Sequence, residues 1–85
     1  MDFRFSMHSL EQMKLRSISN STVIEVLEFP DSILYESSTE KVFQKLIIFE
    51  NQKKYLVRVI VNPEAKPNLI LTVYKTSKIS KYLWK

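Results

Sequence analysis

Two cations in neighbouring strand-like segments are the most chemically suggestive residues of this sequence. Lys45 lies in the apolar run 41–50, Arg58 lies in the run 53–62, and the polar pair Asn51-Gln52 separates the runs. A two-residue turn at that pair places Lys45 directly across from Arg58 on one face of a hairpin. Like charges in that position repel each other. A chain that holds both cations there is therefore predicted to bind an anion between them.

Other side chains offer weaker candidates. The single histidine, His8, falls near the start of a predicted helix, where an imidazole could act as a general base or could be a plain surface residue. Arg16 ends that helix and either contacts phosphate or complements the helix dipole. Hydroxyls recur along the last predicted strand at Thr72, Tyr74 and Thr76, as ligand-binding groups or simply as good strand formers.

The elements that must position these residues follow from caps and periodicity. Ser6 is the predicted N-cap of a first helix that ends near Arg16, and Ser19 is the N-cap of a second helix that stops at Phe29-Pro30. Beyond Asp31 the pattern becomes extended and β-branched, which predicts four strands at 33–35, 42–49, 55–61 and 69–74. Short links between them indicate an antiparallel meander, and the predicted class is α+β.

Alternation divides the predicted sheet into two faces. One face is predicted to pack under the helices through Tyr55, Val57, Val59, Val61, Leu69, Leu71 and Val73. The other is predicted to carry Leu56, Arg58, Ile60, Ile70, Thr72, Tyr74 and Thr76 with Phe43, Lys45, Ile47 and Phe49. If Val61 pairs with Leu69, then Lys45, Arg58 and Thr72 form one row. The segment 77–85 then adds a short basic flap with Lys78 and Lys81.

Composition narrows the class of protein. The 85 residues fit one domain, residues 1–85, and thirteen Lys and Arg against nine Asp and Glu give a net charge of +4, which favours polyanionic partners. The absence of cysteine excludes thiolate chemistry, and the absence of glycine argues against phosphate-cradling loops. One histidine and dispersed carboxylates predict no metal site and no cofactor. No segment reads as a signal peptide or membrane span, so a cytoplasmic protein is expected.

The order of several short motifs resembles an uncharacterised bacterial domain family whose members open with His-Ala-x-x-Arg-Met and Arg-Gly-Ile-Ser. The matching stretches are His8-Ser9-Leu10-Glu11-Gln12-Met13, Arg16-Ser17-Ile18-Ser19, Lys54-Tyr55-Leu56-Val57-Arg58-Val59 and Leu71-Thr72-Val73-Tyr74-Lys75-Thr76. This sequence departs from the pattern at Gln12, where arginine is usual. The family is in turn similar to the barnase, EndoU, colicin and RelE group of small ribonucleases and toxins, which implies N-terminal helices on an antiparallel four-stranded sheet.

The resemblance implies a function as well. It places His8, Arg58, Thr72 and Tyr74 on the family's recurring polar positions. The expected activity is a metal-independent RNA endonuclease, the toxin of a toxin–antitoxin pair. Its catalytic residues would be His8, Arg58, Tyr74 and Lys45, and its RNA contacts would be Arg16, Thr72, Thr76, Lys78 and Lys81. The expected partners are RNA and an acidic antitoxin. The alternatives are a non-catalytic RNA- or protein-binding module and a structural homodimer that buries the outer apolar residues.

Overall fold

The computed structural model describes residues 2–83, which form an α+β fold around one mixed sheet of five strands. The strands are β1 Phe3–Phe5, β2 Ser32–Ser37, β3 Glu40–Ile48, β4 Lys54–Asn62 and β5 Asn68–Thr76, and the helices are α1 Met7–Leu15, α2 Asn20–Glu28 and α3 Ile79–Leu83. Their order across the sheet is β1-β5-β4-β3-β2. The two longer helices precede the meander in the chain, as the sequence predicts.

The sheet differs from the prediction at one edge. Strands β2 to β5 form the expected consecutive antiparallel pairs, but β1 pairs with β5 in parallel, with Phe3 opposite Asn68 and Phe5 opposite Ile70. The expectation of a purely antiparallel four-stranded sheet is therefore wrong. Three residues are too few to show strand alternation in a sequence, and their hydrogen-bonding partners lie far along the chain.

Both predicted helix starts are confirmed by their caps. The Ser6 side chain accepts a hydrogen bond from the Ser9 amide at 3.0 Å, and the Ser19 side chain accepts one from the Thr22 amide at 3.2 Å. These bonds satisfy amides that have no partner within the first turn. Between the helices, Ser17 adopts a left-handed backbone with φ of 55°. Because the chain has no glycine, a side-chain-bearing residue takes this turn position.

The main core lies between α1, α2 and one face of the sheet, which we call the helix face. Its buried apolar residues are Met13, Ile18, Val23, Val26, Leu27, Phe43, Val57, Val59, Val61, Ile70 and Val73. Phe43, Ile47 and Phe49 were expected on the opposite face, but Phe43 belongs to this core and Ile47 and Phe49 pack against it. The predicted outer apolar dimer surface comprised these three residues with Leu56 and Ile60, and only Leu56 and Ile60 lie on that face, where Leu56 is fully buried.

The β3–β4 loop explains that reversal. Ile48 pairs with Lys54, and the loop is the three residues Glu50-Asn51-Gln52 rather than a two-residue turn. The Gln52 amide donates to the Phe49 carbonyl at 2.9 Å, and Gln52 has a left-handed φ of 66°. A three-residue hairpin of this kind is a turn followed by one left-handed residue. It shifts the register by one residue, which turns every side chain of β3 to the other face.

A bulge between β4 and β5 makes the predicted pairing of these two strands wrong. Val61 pairs with Ile70 instead of Leu69, and Ile60 pairs with Thr72, so Leu71 is the additional residue. Ile70 therefore enters the core in place of the predicted Leu69 and Leu71. Beyond the bulge, even-numbered residues of β5 keep the face that the sequence predicts.

Candidate anion-binding site

Four polar side chains stand in one row across the sheet, on the face opposite the core helices. Ser32 of β2 pairs with Gln44 of β3, Gln44 pairs with Arg58 of β4, and Arg58 pairs with Tyr74 of β5. Directly paired residues point to the same face. We call these four residues the Arg58 row and the surface that bears them the row face.

Hydrogen bonds connect the whole row. The Gln44 amide nitrogen Nε2 donates to Ser32 Oγ at 2.9 Å, and Arg58 Nε donates to Gln44 Oε1 at 3.0 Å. Arg58 Nη1 donates to the Tyr74 hydroxyl oxygen. Two of the five guanidinium N–H groups are thus bound by neutral side chains of the row.

Arg58 is buried, yet the described residues give it no carboxylate. Its exposed fraction is only 6%, and the single salt bridge within residues 2–83 joins Lys45 to Asp31 instead. The centroid of the Tyr82 ring, in α3, lies 4.4 Å from the guanidinium carbon Cζ, and the centroid of the Tyr74 ring lies 5.7 Å from it. Aromatic rings and neutral acceptors stabilise a cation without cancelling its charge. The centre of the row is therefore a buried positive charge that the described side chains leave uncompensated.

Lys45 does not belong to this site. It pairs with Val57, so its side chain projects on the helix face, whereas Arg58 projects on the row face. Its amine lies 3.6 Å from the Asp31 carboxylate at the rim of the sheet. The predicted repulsion between Lys45 and Arg58, and the anion site built on it, are therefore wrong. The cause is the one-residue shift that the left-handed Gln52 introduces.

The α1 candidates lie on an exposed helix surface. His8 is exposed in the first turn of α1, and among the described residues it makes no side-chain hydrogen bond or ion pair. The cap residue Ser6 donates through its hydroxyl to the Leu71 carbonyl at 3.1 Å, so α1 begins beside the strand that carries Tyr74. Arg16 Nε donates to Gln12 Oε1 at 3.0 Å on the same exposed surface. None of these hydrogen bonds joins His8 or Arg16 to the Arg58 row.

The remaining predicted contacts border the row on β5 and α3. Thr72 and Thr76 lie two residues either side of Tyr74 on the same face, and both are half-buried. The Thr76 hydroxyl accepts from the Lys78 amide at 3.0 Å, which helps turn the chain into α3. Lys78 and Lys81 are exposed. These side chains place hydroxyls and cations around the Arg58 row rather than in it.

Three residues of the site were missed by sequence reasoning: Gln44, Ser32 and Tyr82. Gln44 is fully buried in the middle of β3, and a buried polar residue needs a hydrogen-bonding partner. A polar residue at the centre of a predicted strand was the available signal, but the assumed register paired Arg58 with Lys45 instead. Ser32 and Tyr82 carried no comparable signal, because each sits among other polar or aromatic residues.

The site offers charge and hydroxyl groups rather than metal ligands. Within residues 2–83, no three His, Cys, Asp or Glu side chains cluster as a metal site would require. A guanidinium suits a phosphate or carboxylate oxygen, and the neighbouring Tyr74 hydroxyl can donate or accept a proton. Within the described part of the chain, no helix has both the length and the apolar character needed to cross a membrane.

Sequence comparison identifies the family to which this chain belongs. The family described as a domain of unknown function, DUF4258, matches residues 5–75. The match runs from the end of β1 into β5 and includes Gln44, Arg58 and Tyr74. The chain is therefore a member of the DUF4258 family. Comparison with curated proteins and with solved structures gives no match.

Proposed function

We propose that this protein is a metal-independent RNA endonuclease of the toxin type, and that the Arg58 row binds the phosphate at which RNA is cleaved. The observation that carries the proposal is the buried guanidinium of Arg58, which is 6% exposed and bound only by neutral groups among the described residues. The motif resemblance to the barnase, EndoU, colicin and RelE group supports the same activity.

The energetic argument starts from the cost of burying a charge. Removing an ion from water costs several kcal/mol even after relaxation, unless hydrogen bonds and an opposite charge compensate. Gln44, Tyr74 and the Tyr82 ring supply part of this compensation. A phosphate would supply the rest through charge-assisted hydrogen bonds to the fork of guanidinium donors. An arginine held in this way is prepared for an anionic ligand before the ligand arrives.

The proposed position of the ligand is the edge of the guanidinium rather than its face. A ring stacked over a guanidinium covers its face, whereas the N–H groups point outward within its plane. Tyr82 can therefore stabilise the cation while an anion approaches the guanidinium edge. Thr72, Thr76, Lys78 and Lys81 border this region, and we assign them to contacts with neighbouring nucleotides.

The proposed reaction is an internal transfer within RNA. The 2′-oxygen attacks the adjacent phosphorus as the bond from phosphorus to the 5′-oxygen breaks, which gives a 2′,3′-cyclic phosphate and a 5′-hydroxyl. Arg58 stabilises the charge that builds on the phosphate oxygens. Tyr74 donates the proton that the leaving 5′-oxygen takes up. The motif resemblance assigns removal of the 2′-hydroxyl proton to His8, although α1 packs on the other face of the sheet and none of its contacts reaches the Arg58 row. Arg16 lies further along α1 as a phosphate contact.

A second candidate is an RNA- or protein-binding module without cleavage activity. It is favoured by the exposed position of His8. It is also favoured by Gln12, which replaces the arginine of the family pattern and accepts a hydrogen bond from Arg16. An RNA or an acidic protein partner would then bind to the row face through the positive charge of that face alone. Both candidates depend on Arg58, but only the first also needs His8.

RNA cleavage by purified variants separates these candidates. We expect Arg58→Ala to lose about 10²- to 10³-fold in cleavage rate, because a preorganised charge donor is removed. His8→Ala should lose about 10²-fold or more as the base is removed. Arg4→Ala is the matched control, since it removes an exposed arginine on β1. Salt-sensitive RNA binding that Arg58→Ala abolishes, with no cleavage by the wild type, selects the second candidate. Equal RNA binding and cleavage by Arg58→Ala and Arg4→Ala overturn both.

A further inference from the structure

The proposed function makes Arg58 the ligand-binding residue, and on that basis we infer that Gln44 is the residue that positions it. Gln44 is fully buried, and each end of its side-chain amide has a partner within the row. In this role it fixes the orientation of the Arg58 guanidinium and, because it is neutral, leaves the positive charge available to an anion.

The orientation of the Gln44 amide is determined by its bond to Arg58. Its oxygen Oε1 accepts from Arg58 Nε, and its nitrogen Nε2 donates to Ser32 Oγ. A flipped amide would direct its N–H groups at the Arg58 N–H, and two donors cannot bond to each other. The Ser32 hydroxyl provides an acceptor for the correct orientation. Gln44 therefore stands in one arrangement, which is what a positioning residue requires.

The guanidinium plane is fixed in turn by bonds to two of its nitrogens. Nε is held by Gln44 and Nη1 by the Tyr74 hydroxyl, from strands on opposite sides of β4. A planar group held at two points keeps its third nitrogen in a defined direction. Within the described residues, the Nη2 nitrogen makes no hydrogen bond. We assign Nη2 and the remaining N–H of Nη1 to the anion, which would then bind end-on.

The neutrality of Gln44 is the second part of the inference. Glutamate has nearly the same shape, and at this position its carboxylate would form an ion pair with Arg58. Such a pair would compensate the buried charge inside the protein and would compete with a bound phosphate. Glutamine gives the hydrogen bond without the counter-charge. The choice of amide over carboxylate thus favours ligand binding over internal stability.

Gln44→Glu tests the neutrality directly, with Gln52→Glu as the matched control because Gln52 is exposed in the β3–β4 loop. The probe is a fluorescein-labelled 2′-O-methyl oligoribonucleotide, which binds but cannot undergo attack by the 2′-oxygen. We expect Gln44→Glu to weaken binding at least tenfold more than Gln52→Glu. The slope of log affinity against log salt should also fall by about 0.7, the value for one lost phosphate contact on a single strand. Equal affinities and equal slopes for the two variants overturn the inference.

A second measurement needs no RNA and tests the positioning alone. The Nε–H of Arg58 gives its own signal in NMR spectra of the folded protein. In the wild type we expect this proton to exchange slowly with water, and in Gln44→Met to exchange at least tenfold faster while backbone amides of β3 and β4 keep their protection. An unchanged Arg58 signal in Gln44→Met overturns the positioning role. A protected Arg58 signal in a protein that binds no RNA overturns the proposed function and leaves the positioning role standing.

Discussion

The two faces of the sheet bury their residues in different ways. The helix face is closed by α1 and α2 over valines such as Val57, Val59 and Val73, and its nearby cation Lys45 stays at the rim beside Asp31. The row face places Arg58 in the middle of the sheet, and Arg58 is buried to about the same extent as the core residues Met13 and Phe43. Two strand cations of similar sequence context therefore experience very different surroundings.

This contrast shows what each face is suited to do. Apolar side chains gain free energy simply by leaving water, so the helix face needs no ligand to be complete. A buried guanidinium with neutral partners is stable only because the rest of the fold holds it there. The helix face thus accounts for stability, and the row face holds a charge to which residues 2–83 supply no opposite charge.

The largest effect that we expect comes from Leu56→Ala. Leu56 lies on the row face and is fully buried, so its truncation should lower the free energy of unfolding by about 2–5 kcal/mol. Urea unfolding followed by circular dichroism measures this. Ile48→Ala, at an exposed position on the same face, should change stability by no more than about 0.5 kcal/mol. A small loss for Leu56→Ala would mean that the row face is open to solvent.

Tyr74→Phe sharpens the chemical side of the contrast. It removes the hydroxyl that binds Arg58 Nη1 and that we assign as proton donor, so RNA cleavage should slow by about 10²-fold. Tyr55→Phe makes the same change on the helix face, where Tyr55 stacks edge-on against Phe49. That control should cleave RNA at the wild-type rate, as initial rates would establish. Equal rates for the two variants would remove Tyr74 from the mechanism.

Gln52→Gly tests the loop that decides which face Lys45 occupies. Gln52 has a φ of 66°, a conformation that costs a residue with a Cβ about 1–2 kcal/mol and costs glycine little. Part of this gain is offset by the greater freedom of glycine when unfolded, so we expect stability to rise by about 0.5–1 kcal/mol. Asn51→Gly is the control, since the Asn51 side chain accepts from the Lys53 amide and that bond would be lost. A destabilised Gln52→Gly would contradict the left-handed loop.

Lys45→Ala should have the smallest effect. Its salt bridge to Asp31 is partly exposed, with side-chain exposures of 20% and 43%, and such pairs contribute about 0–1 kcal/mol. Because Lys45 projects on the helix face, RNA affinity should change no more than in Arg4→Ala. Fluorescence anisotropy with labelled RNA measures this. A loss approaching that of Arg58→Ala would return Lys45 to the proposed anion site.

Local signals in the sequence predicted much of this fold. Ser6 and Ser19 cap the two helices as expected, and β2 to β5 follow the expected antiparallel order, because caps and strand alternation depend on neighbouring residues. The strand β1 escaped prediction since its evidence is a pairing with β5 that the sequence does not display. Registers were less predictable still, because one left-handed residue or one bulge shifts a whole strand.

The candidate site was predicted in part for the same reason. The sequence placed Arg58 and Tyr74 on a common face, and in the structure they pair directly. The bulge lies between Ile60 and Val61, so the even-numbered residues of β4 and β5 on the other side of it still share one face. Lys45 was assigned to that face wrongly, and Gln44 took its place beside Arg58. The error came from a loop without glycine, in which nothing marked Gln52 as the left-handed position.

The parallel pairing of β1 with β5 has a consequence for the order of folding. Residues 3–5 find their strand partners at residues 68–70, so on a ribosome this pairing must wait until most of the chain has emerged. The β2–β3 and β3–β4 hairpins have nearby partners and can associate earlier. Until β5 arrives, β4 has an uncovered edge and half of the row that would cradle Arg58 is missing. Nascent chains stalled before residue 68 should therefore lack the complete Arg58 row even when their early hairpins have formed.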